Sequence, residues 1–188
     1  MTLRVVAVSG SLRSPSTTEL LLHGILDEIA TRVEIERELI ELHPLAVDLA
    51  VTLTRGVRSD AVTAALDAVA AADVLVVATP IYRGSYTGLF KQFIDVLHQD
   101  AIEGTPVLLA AGGGNDQHWL AIDHELRPLF AFFRAHTLPV GVYARTADFE
   151  AADDAPSGKR IASDGALPAA IIRAVEAALP TLQSAPRR

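Results

Sequence analysis

The segment LRVVAVSGSLRSPSTTELLL, residues 3–22, places a strand, a loop and the start of a helix in direct succession. Residues 3–8 form an apolar run rich in β-branched side chains, and Ser9-Gly10 ends it. A short continuous apolar run is typical of a strand that is covered on both faces, as in a parallel sheet. Residues 17–31 then carry leucine and isoleucine along one side of a predicted helix. The segment therefore predicts a β-loop-α unit.

The same succession of strand and helix recurs along the rest of the chain. Regular alternation predicts a doubly wound α/β fold, because right-handed crossovers place helices on both faces of a parallel sheet. We expect five strands in the order 2-1-3-4-5, one of the two common arrangements of this class. The predicted strands cover residues 3–8, 33–39, 73–79, 105–110 and 137–143, and the predicted helices cover residues 17–31, 60–72, 87–98, 119–135 and 168–182.

Length and composition predict one domain over residues 1–188, with residues 145–168 as a long polar surface excursion. The net charge of −7 is spread along the chain without a basic stripe, which argues against nucleic-acid binding. The chain has no cysteine and its six histidines lack a metal-binding spacing, so we expect neither a disulfide nor a metal. No apolar run reaches the length of a membrane span, and we expect a cytoplasmic protein.

The loop after the first predicted strand has the composition of a phosphate site. A helix N-terminus offers unpaired backbone N–H groups and a positive dipole end, to which hydroxyls and a cation add further donors. The glycine patterns that bind dinucleotides or nucleoside triphosphates are missing, which leaves a single terminal phosphate as the ligand. Alternatively, Ser16 only caps the helix, because Ser16 and Glu19 have the spacing of a capping box. The candidate phosphate-binding residues are Ser9, Ser11, Arg13, Ser16, Thr17 and Thr18.

Two further loops leave predicted strands at the same edge of the sheet. In residues 80–85, proline and glycine let the backbone approach a flat ligand, and Tyr82 offers aromatic surface to it. In residues 112–115, three consecutive glycines leave amide N–H groups exposed to stabilise negative charge on a ligand. The alternatives are an ordinary anchored loop and a flexible turn without a ligand. The candidate ring-binding residues are Pro80, Ile81, Tyr82, Arg83, Gly84, Ser85, Gly112, Gly113, Gly114 and Asn115.

Two motifs resemble those of the NAD(P)H-dependent FMN reductases, and the resemblance covers nearly the whole chain. The first is G-S-L-R-x-x-S-x-T at residues 10–18, and the second is T-P-x-Y-x-x-x-x-x-G-x-x-K-x-x-x-D at residues 79–95. Residues 112–128 are similar to the branch of this family that serves sulfonate-using two-component monooxygenases. Ile81 departs from the common family pattern, which has an acidic residue at that position.

The resemblance implies a flavodoxin-like fold and an enzyme that transfers hydride from NADPH or NADH to FMN without a catalytic acid or base. It implies that the first loop holds the FMN phosphate, that residues 80–85 line the flavin and that residues 112–115 meet its pyrimidine edge. It also implies a homodimer or homotetramer that supplies reduced flavin to a partner monooxygenase. His124 corresponds to a position within a π-helical insertion at the tetramer interface, which makes it a candidate modulator. The alternative for His124 is a solvated helical histidine.

Two other functions use the same fold and stay open at this point. One is a quinone or azo-dye reductase, which keeps FMN bound and passes electrons to an organic acceptor. The other is a flavodoxin-type electron carrier without NAD(P)H turnover, which is compatible with the acidic net charge, although the flavodoxin T-x-T-G-N-T phosphate loop is missing from this sequence. The sequence alone does not select between NADH and NADPH.

Overall fold

A parallel β-sheet runs through the centre of the protein, and the computed structural model describes residues 2–185. Its strands are β1 (Leu3–Ser9), β2 (Ile35–Glu41), β3 (Val74–Pro80), β4 (Pro106–Gly113), β5 (His136–Thr137) and β6 (Val142–Arg145). The order is β2-β1-β3-β4-β5, and β6 also pairs with β4. The predicted order 2-1-3-4-5 is therefore confirmed.

The strand predicted at residues 137–143 is divided in two. β5 pairs with Pro106 and Val107 near the start of β4, whereas β6 pairs with residues 110–113 at its end. Between them, Pro139 has no N–H to donate to a ladder. Gly141 packs so closely on Ile122 that an added Cβ would lie 2.7 Å from the Ile122 Cγ2. Residues 138–141 therefore interrupt the fifth strand position.

Helices cover both faces of this sheet, as the doubly wound, flavodoxin-like prediction requires. Within residues 2–185 the α-helices are α1 (Thr17–Ala30), α2 (Ala46–Arg55), α3 (Asp60–Ala70), α4 (Gly88–Val96), α5 (Arg127–Phe132) and α6 (Ala166–Ser184). Strand side chains alternate between faces, so Val5 and Ala7 pack with α1 and α6, while Val6 and Val8 pack on the side of α2 to α5. None of the helices in the described part is long and apolar enough to cross a membrane.

One helix and one hairpin were not predicted from the sequence pattern. α2 follows a 3-10 turn and has no side-chain N-cap, although Gly56 ends it in a left-handed conformation (φ 69°), a common helix stop. Within the predicted surface excursion, β7 (Phe149–Ala151) and β8 (Lys159–Ile161) form an antiparallel hairpin. Strands of three residues are too short to show a hydrophobic period, which is why the sequence does not reveal them.

The helix predicted at residues 119–135 is a composite of two segments, and a 3-10 turn precedes it. A 3-10 turn covers Asp116–His118, a π-helical segment covers Ile122–Leu126, and α5 follows directly. The Arg127 N–H donates to the Ile122 carbonyl five residues earlier, the spacing of a π-helix. Pro128 lacks the N–H that would bond to the His124 carbonyl in a regular helix. Just before Pro128 the helix is thus distorted into a π-helical segment that contains His124.

Candidate functional site

A cavity of about 160 Å³ opens at the carboxyl edge of the sheet, where β1, β3, β4 and β6 end. In doubly wound sheets this edge is the place where ligands bind. Most residues of the predicted phosphate and ring loops line this carboxyl-edge cavity, although they come from three separate segments. They are Ser11, Arg13, Ser16, Thr17, Thr18, Pro80, Ile81, Tyr82, Gly112, Gly113 and Gly114.

Ser16 caps α1 in the wall of the carboxyl-edge cavity. Its Oγ accepts a hydrogen bond from the Glu19 N–H (3.2 Å), and the Glu19 carboxylate accepts one from the Ser16 N–H (3.2 Å). The predicted capping box is therefore present, and the Ser16 hydroxyl also donates to the Glu19 carboxylate (2.9 Å). Thr17 and Thr18 follow in the first turn, so they stand at the positive end of the helix dipole beside the cavity.

Arg13 and Ser9 carry polar groups without a protein partner. The Arg13 guanidinium is exposed in the cavity wall and makes no hydrogen bond or ion pair within residues 2–185. Ser9 lies just outside the wall, at the end of β1, with 1% of its surface exposed and no hydrogen bond to its Oγ in the same described part. Buried hydroxyls without a partner are uncommon. The free Arg13 guanidinium in the wall therefore suits an anion that the protein itself does not provide.

The second loop makes a tight turn at the mouth of the cavity. The Tyr82 N–H donates to the Ser85 carbonyl (2.9 Å), and the Ser85 N–H donates back to the Tyr82 carbonyl (3.2 Å). Arg83 and Gly84 complete the turn with positive φ angles of 55° and 88°, and they do not line the cavity. The Ser85 hydroxyl points elsewhere and donates to the Glu125 carboxylate in the π-helical segment (2.8 Å). Of this loop, the segment from Pro80 to Tyr82 faces the cavity.

The third loop presents its glycines to the cavity and turns its asparagine away. The Gly112 carbonyl accepts a hydrogen bond from the Ile81 N–H (2.7 Å), which joins the second and third loops. Asn115 lies outside the wall, where its side-chain oxygen accepts a hydrogen bond from the Gln117 N–H (2.9 Å). Asn115 thus begins the following 3-10 turn, and the amides of Gly112 to Gly114 stay next to the ligand space.

A threonine joins the first and second loops. Thr87 donates from Oγ1 to the Gly10 carbonyl (2.7 Å), and its N–H donates to Thr79 Oγ1 (3.2 Å). An added Cβ at Gly10 would lie 2.9 Å from the Phe90 ring and 3.0 Å from the Thr79 Cβ. The first loop therefore packs directly on β3 and α4, and only glycine fits at position 10.

Five further wall residues were missed by sequence reasoning. Arg145 belongs to this group, and Asp148 holds its guanidinium through Nη2 (2.8 Å) and Nε (3.3 Å). Burial pushes the pKa of Asp148 upward, but the hydrogen bonds and charge of Arg145 outweigh burial and keep that pKa below its ordinary value. Arg145 could have been identified from the pairing of β6 with β4, because this pairing places it opposite Gly113. The missed residues are Leu21, Ala144, Arg145, Thr146 and Phe149.

The cavity wall in the described part of the chain contains no carboxylate, imidazole, thiol or amine. It therefore lacks the side chains that most often serve as a general acid or base, and its ionisable groups are two guanidiniums and the Tyr82 phenol. It offers a helix N-terminus with a free guanidinium for a phosphate, and glycine amides that favour negative charge on a flat ring. These donors fit FMN, which carries one phosphate and an isoalloxazine ring. Fold and site together define a flavin-binding protein of the flavodoxin-like class.

The chain belongs to the NADPH-dependent FMN reductase family, whose model matches residues 3–150. It is 48% identical to the FMN reductase (NADPH) of Pseudomonas aeruginosa over 147 residues, which cover 78% of this chain and 79% of that protein. It is also 48% identical to the NADH-dependent FMN reductase SfnE of Pseudomonas putida over 170 residues, 88% of this chain and 91% of that protein.

Structural comparison agrees with the sequence comparisons. An X-ray structure of an oxidoreductase from Corynebacterium diphtheriae is 34% identical and superposes with a TM-score of 0.80 over 96% of both chains. The family resemblance is therefore confirmed. The protein is an NAD(P)H:FMN oxidoreductase, with FMN and NADPH or NADH as its cofactors.

Proposed function

We propose that this FMN reductase uses FMN as a diffusible substrate and supplies the reduced flavin to a two-component monooxygenase of sulfonate metabolism. The observation that carries the proposal is the cavity wall, which has binding groups for a flavin but no carboxylate, imidazole, thiol or amine in the described part of the chain. Such a wall suits direct hydride transfer between two bound cofactors. The similarity of residues 112–128 to the sulfonate branch supports the supply role.

In this proposal each loop has one task. Arg13, Thr17 and Thr18 hold the phosphate at the N-terminus of α1, with Ser11 and Ser16 shaping the loop around it. The segment from Pro80 to Tyr82 lines the flavin ring, and Arg83, Gly84 and Ser85 complete the turn beside it. Gly112 to Gly114 meet the pyrimidine edge of the ring, and Asn115 follows them outside the wall. When bound, FMN supplies the electron-accepting ring that takes hydride from the nicotinamide. Tyr82, with 51% of its surface exposed at the cavity mouth, borders the open side that the nicotinamide needs.

The glycine amides contribute electrostatics. Reduction adds negative charge to the flavin, and fixed N–H groups next to that charge lower its free energy without any proton transfer by the protein. Arg13 adds a cation at the phosphate. A hydrogen bond between these charged groups is stronger than a hydrogen bond between neutral groups. In this proposal the protein therefore promotes hydride transfer by positioning the flavin and by stabilising its negative charge.

The experiment is NADH and NADPH oxidation by the purified protein with and without added free FMN, under anaerobic and aerobic conditions. Turnover that depends on added FMN and yields reduced FMN anaerobically supports the proposal, and the two rates give the nicotinamide preference. Turnover of a quinone or an azo dye by protein with permanently bound FMN would instead indicate a reductase of organic acceptors. FMN binding without NAD(P)H oxidation would indicate an electron carrier.

We further propose that the enzyme works in the cytoplasm as a homodimer or homotetramer. A second cavity of about 580 Å³ lies between α4, the π-helical segment and α5, on the face opposite α1 and α6. Positively charged, negatively charged and apolar side chains line this second cavity. Such a mixture is self-complementary, so it suits contact with the same face of a second copy. Phe132 there has 68% of its surface exposed. This self-association face comprises Tyr86, Lys91, Asp95, His124, Glu125, Pro128, Phe132 and Phe133.

A further inference from the structure

The glycine loop of the carboxyl-edge cavity is held from outside by β6. The strand register pairs Ala111 with Tyr143 and Gly113 with Arg145, so both β6 side chains begin beside the loop. The Tyr143 hydroxyl donates to the Asn115 carbonyl over 2.6 Å. An added Cβ on Gly113 would overlap that hydroxyl and would lie 3.1 Å from the Tyr143 Cζ. The Tyr143 hydroxyl therefore occupies the space that Gly113 leaves open.

A second link joins β6 to the same segment. The Arg145 Nη1 lies 3.7 Å from the Asp116 carboxylate, while Asp148 holds the rest of the guanidinium. The Arg145 N–H also donates to Asp148 (2.7 Å), which fixes the end of β6 to the turn that follows it. The peptide between Asn115 and Asp116 is thus connected to β6 from both sides.

This anchoring matters because the loop is made of glycine. Gly112 and Gly113 end β4 and pair with β6, whereas Gly114 lies beyond the strand, where ordering a glycine costs conformational entropy. The Tyr143 hydroxyl is protonated at neutral pH because the ordinary pKa of tyrosine is about 10, and burial raises the pKa of Tyr143 further. It can therefore serve as a permanent donor to the Asn115 carbonyl. A loop fixed in this way presents its amides in one orientation.

We propose that Tyr143 is a positioning residue, which acts through the Asn115 carbonyl to hold the amides of Gly112 to Gly114 in an orientation that favours reduced FMN over oxidised FMN. The proposal rests on the flavin site proposed above. Preorganised N–H donors stabilise charge that appears during a reaction, and reduction places added negative charge on the flavin. A loosened loop loses more of its interaction with the charged product than with the neutral substrate ring.

The test is Tyr143→Phe, which removes the hydroxyl and keeps the ring. We measure the Kd of oxidised FMN, the Kd of reduced FMN under anaerobic conditions, and the midpoint potential of the bound flavin. Loss of one hydrogen bond predicts an increase of about two- to tenfold in the Kd of reduced FMN. We expect a smaller change for oxidised FMN and a lower midpoint potential. The control is Thr31→Val, which removes a hydroxyl bond to the Glu28 carbonyl (2.7 Å) outside this cavity.

Equal Kd changes in the two redox states, or no change in either, would overturn the positioning role and leave the flavin site intact. Failure of the unmodified protein to bind FMN would reject the flavin site itself. If Tyr143→Phe does not fold, Gly113→Ala gives a second test, because its Cβ displaces the same hydroxyl. The same redox-selective weakening is then expected, and a variant with an unchanged midpoint potential would contradict the proposal.

Discussion

Arg13 is the residue from which we expect the largest single effect on FMN binding. Its guanidinium has no partner within residues 2–185 and lies beside the N-terminus of α1. A hydrogen bond to a charged group contributes about 1.5–3 kcal/mol, so Arg13→Ala should raise the Kd of FMN by at least about tenfold. Riboflavin lacks the phosphate, and its Kd should stay unchanged. Titration of both flavins checks this, and an equal loss for riboflavin would show that Arg13 contacts another part of the ligand.

Asp148 gives the protein a pH-dependent contribution to stability. Its pKa is lowered in the folded state, so its contribution is present above the unfolded pKa of about 4 and is lost as the pH falls through the folded pKa. Asp148→Asn should therefore reduce the free energy of unfolding at pH 7, and its difference from the unmodified protein should shrink toward pH 3. Urea unfolding at several pH values measures this. The exposed Asp153 provides a control, Asp153→Asn, for which we expect no such difference.

At the scale of elements, two serine N-caps allow the effect of a cap on stability to be distinguished from its effect on FMN binding. Ser16 begins α1 at the cavity, whereas Ser59 begins α3 and accepts from the Val62 N–H (3.2 Å) away from it. Loss of a serine N-cap costs about 1 kcal/mol, so Ser16→Ala and Ser59→Ala should lower stability by similar amounts. We expect weaker FMN binding for Ser16→Ala alone. Denaturant unfolding and FMN titration of both variants test this, and equal FMN affinity in the two would remove Ser16 from the phosphate site.

The sequence predicts an element well where its side chains have one clear environment. β1, β3 and β4 lie between two helical layers, so their continuous apolar runs identify them. β2 is an edge strand with exposed charges, and its range of Ile35–Glu41 begins two residues later than expected from the sequence. The π-helical segment depends on Pro128, whose presence predicts a distortion without specifying its hydrogen bonds.

The candidate site, too, could be predicted from the sequence only in part. Loop composition after β1, β3 and β4 identifies residues that converge on the cavity, because the ends of parallel strands meet at one edge. Arg145, Thr146 and Phe149 follow β6, and their place in the wall depends on its pairing with β4. Ser85 and Asn115 have the expected residue type, yet their side chains bond to Glu125 and to the Gln117 backbone. Such partners arise only in the folded chain.

For the whole molecule, the self-association face makes a testable prediction about assembly. Phe132 is exposed at the end of α5, and its ring makes an edge contact with the ring of Phe133, the next residue, at a centroid distance of 5.2 Å. Phe132→Glu would bury a charge in a contact between copies, so we expect a smaller particle by light scattering or sedimentation. Ile172→Glu, on α6 at the opposite face, is the matched control and should leave the mass unchanged. An unchanged mass for Phe132→Glu would show that the contact between copies does not use this face.

The two edges of the sheet restrict how copies of the chain can join. At one edge, β2 exposes Glu36, Arg37 and Glu38, and at the other the strand is broken into pieces of two and four residues. Charged or interrupted edges discourage the addition of strands from another molecule. Growth of the sheet from copy to copy is therefore disfavoured at both ends. We expect crowded copies of this protein to resist the formation of fibrils through their sheet edges.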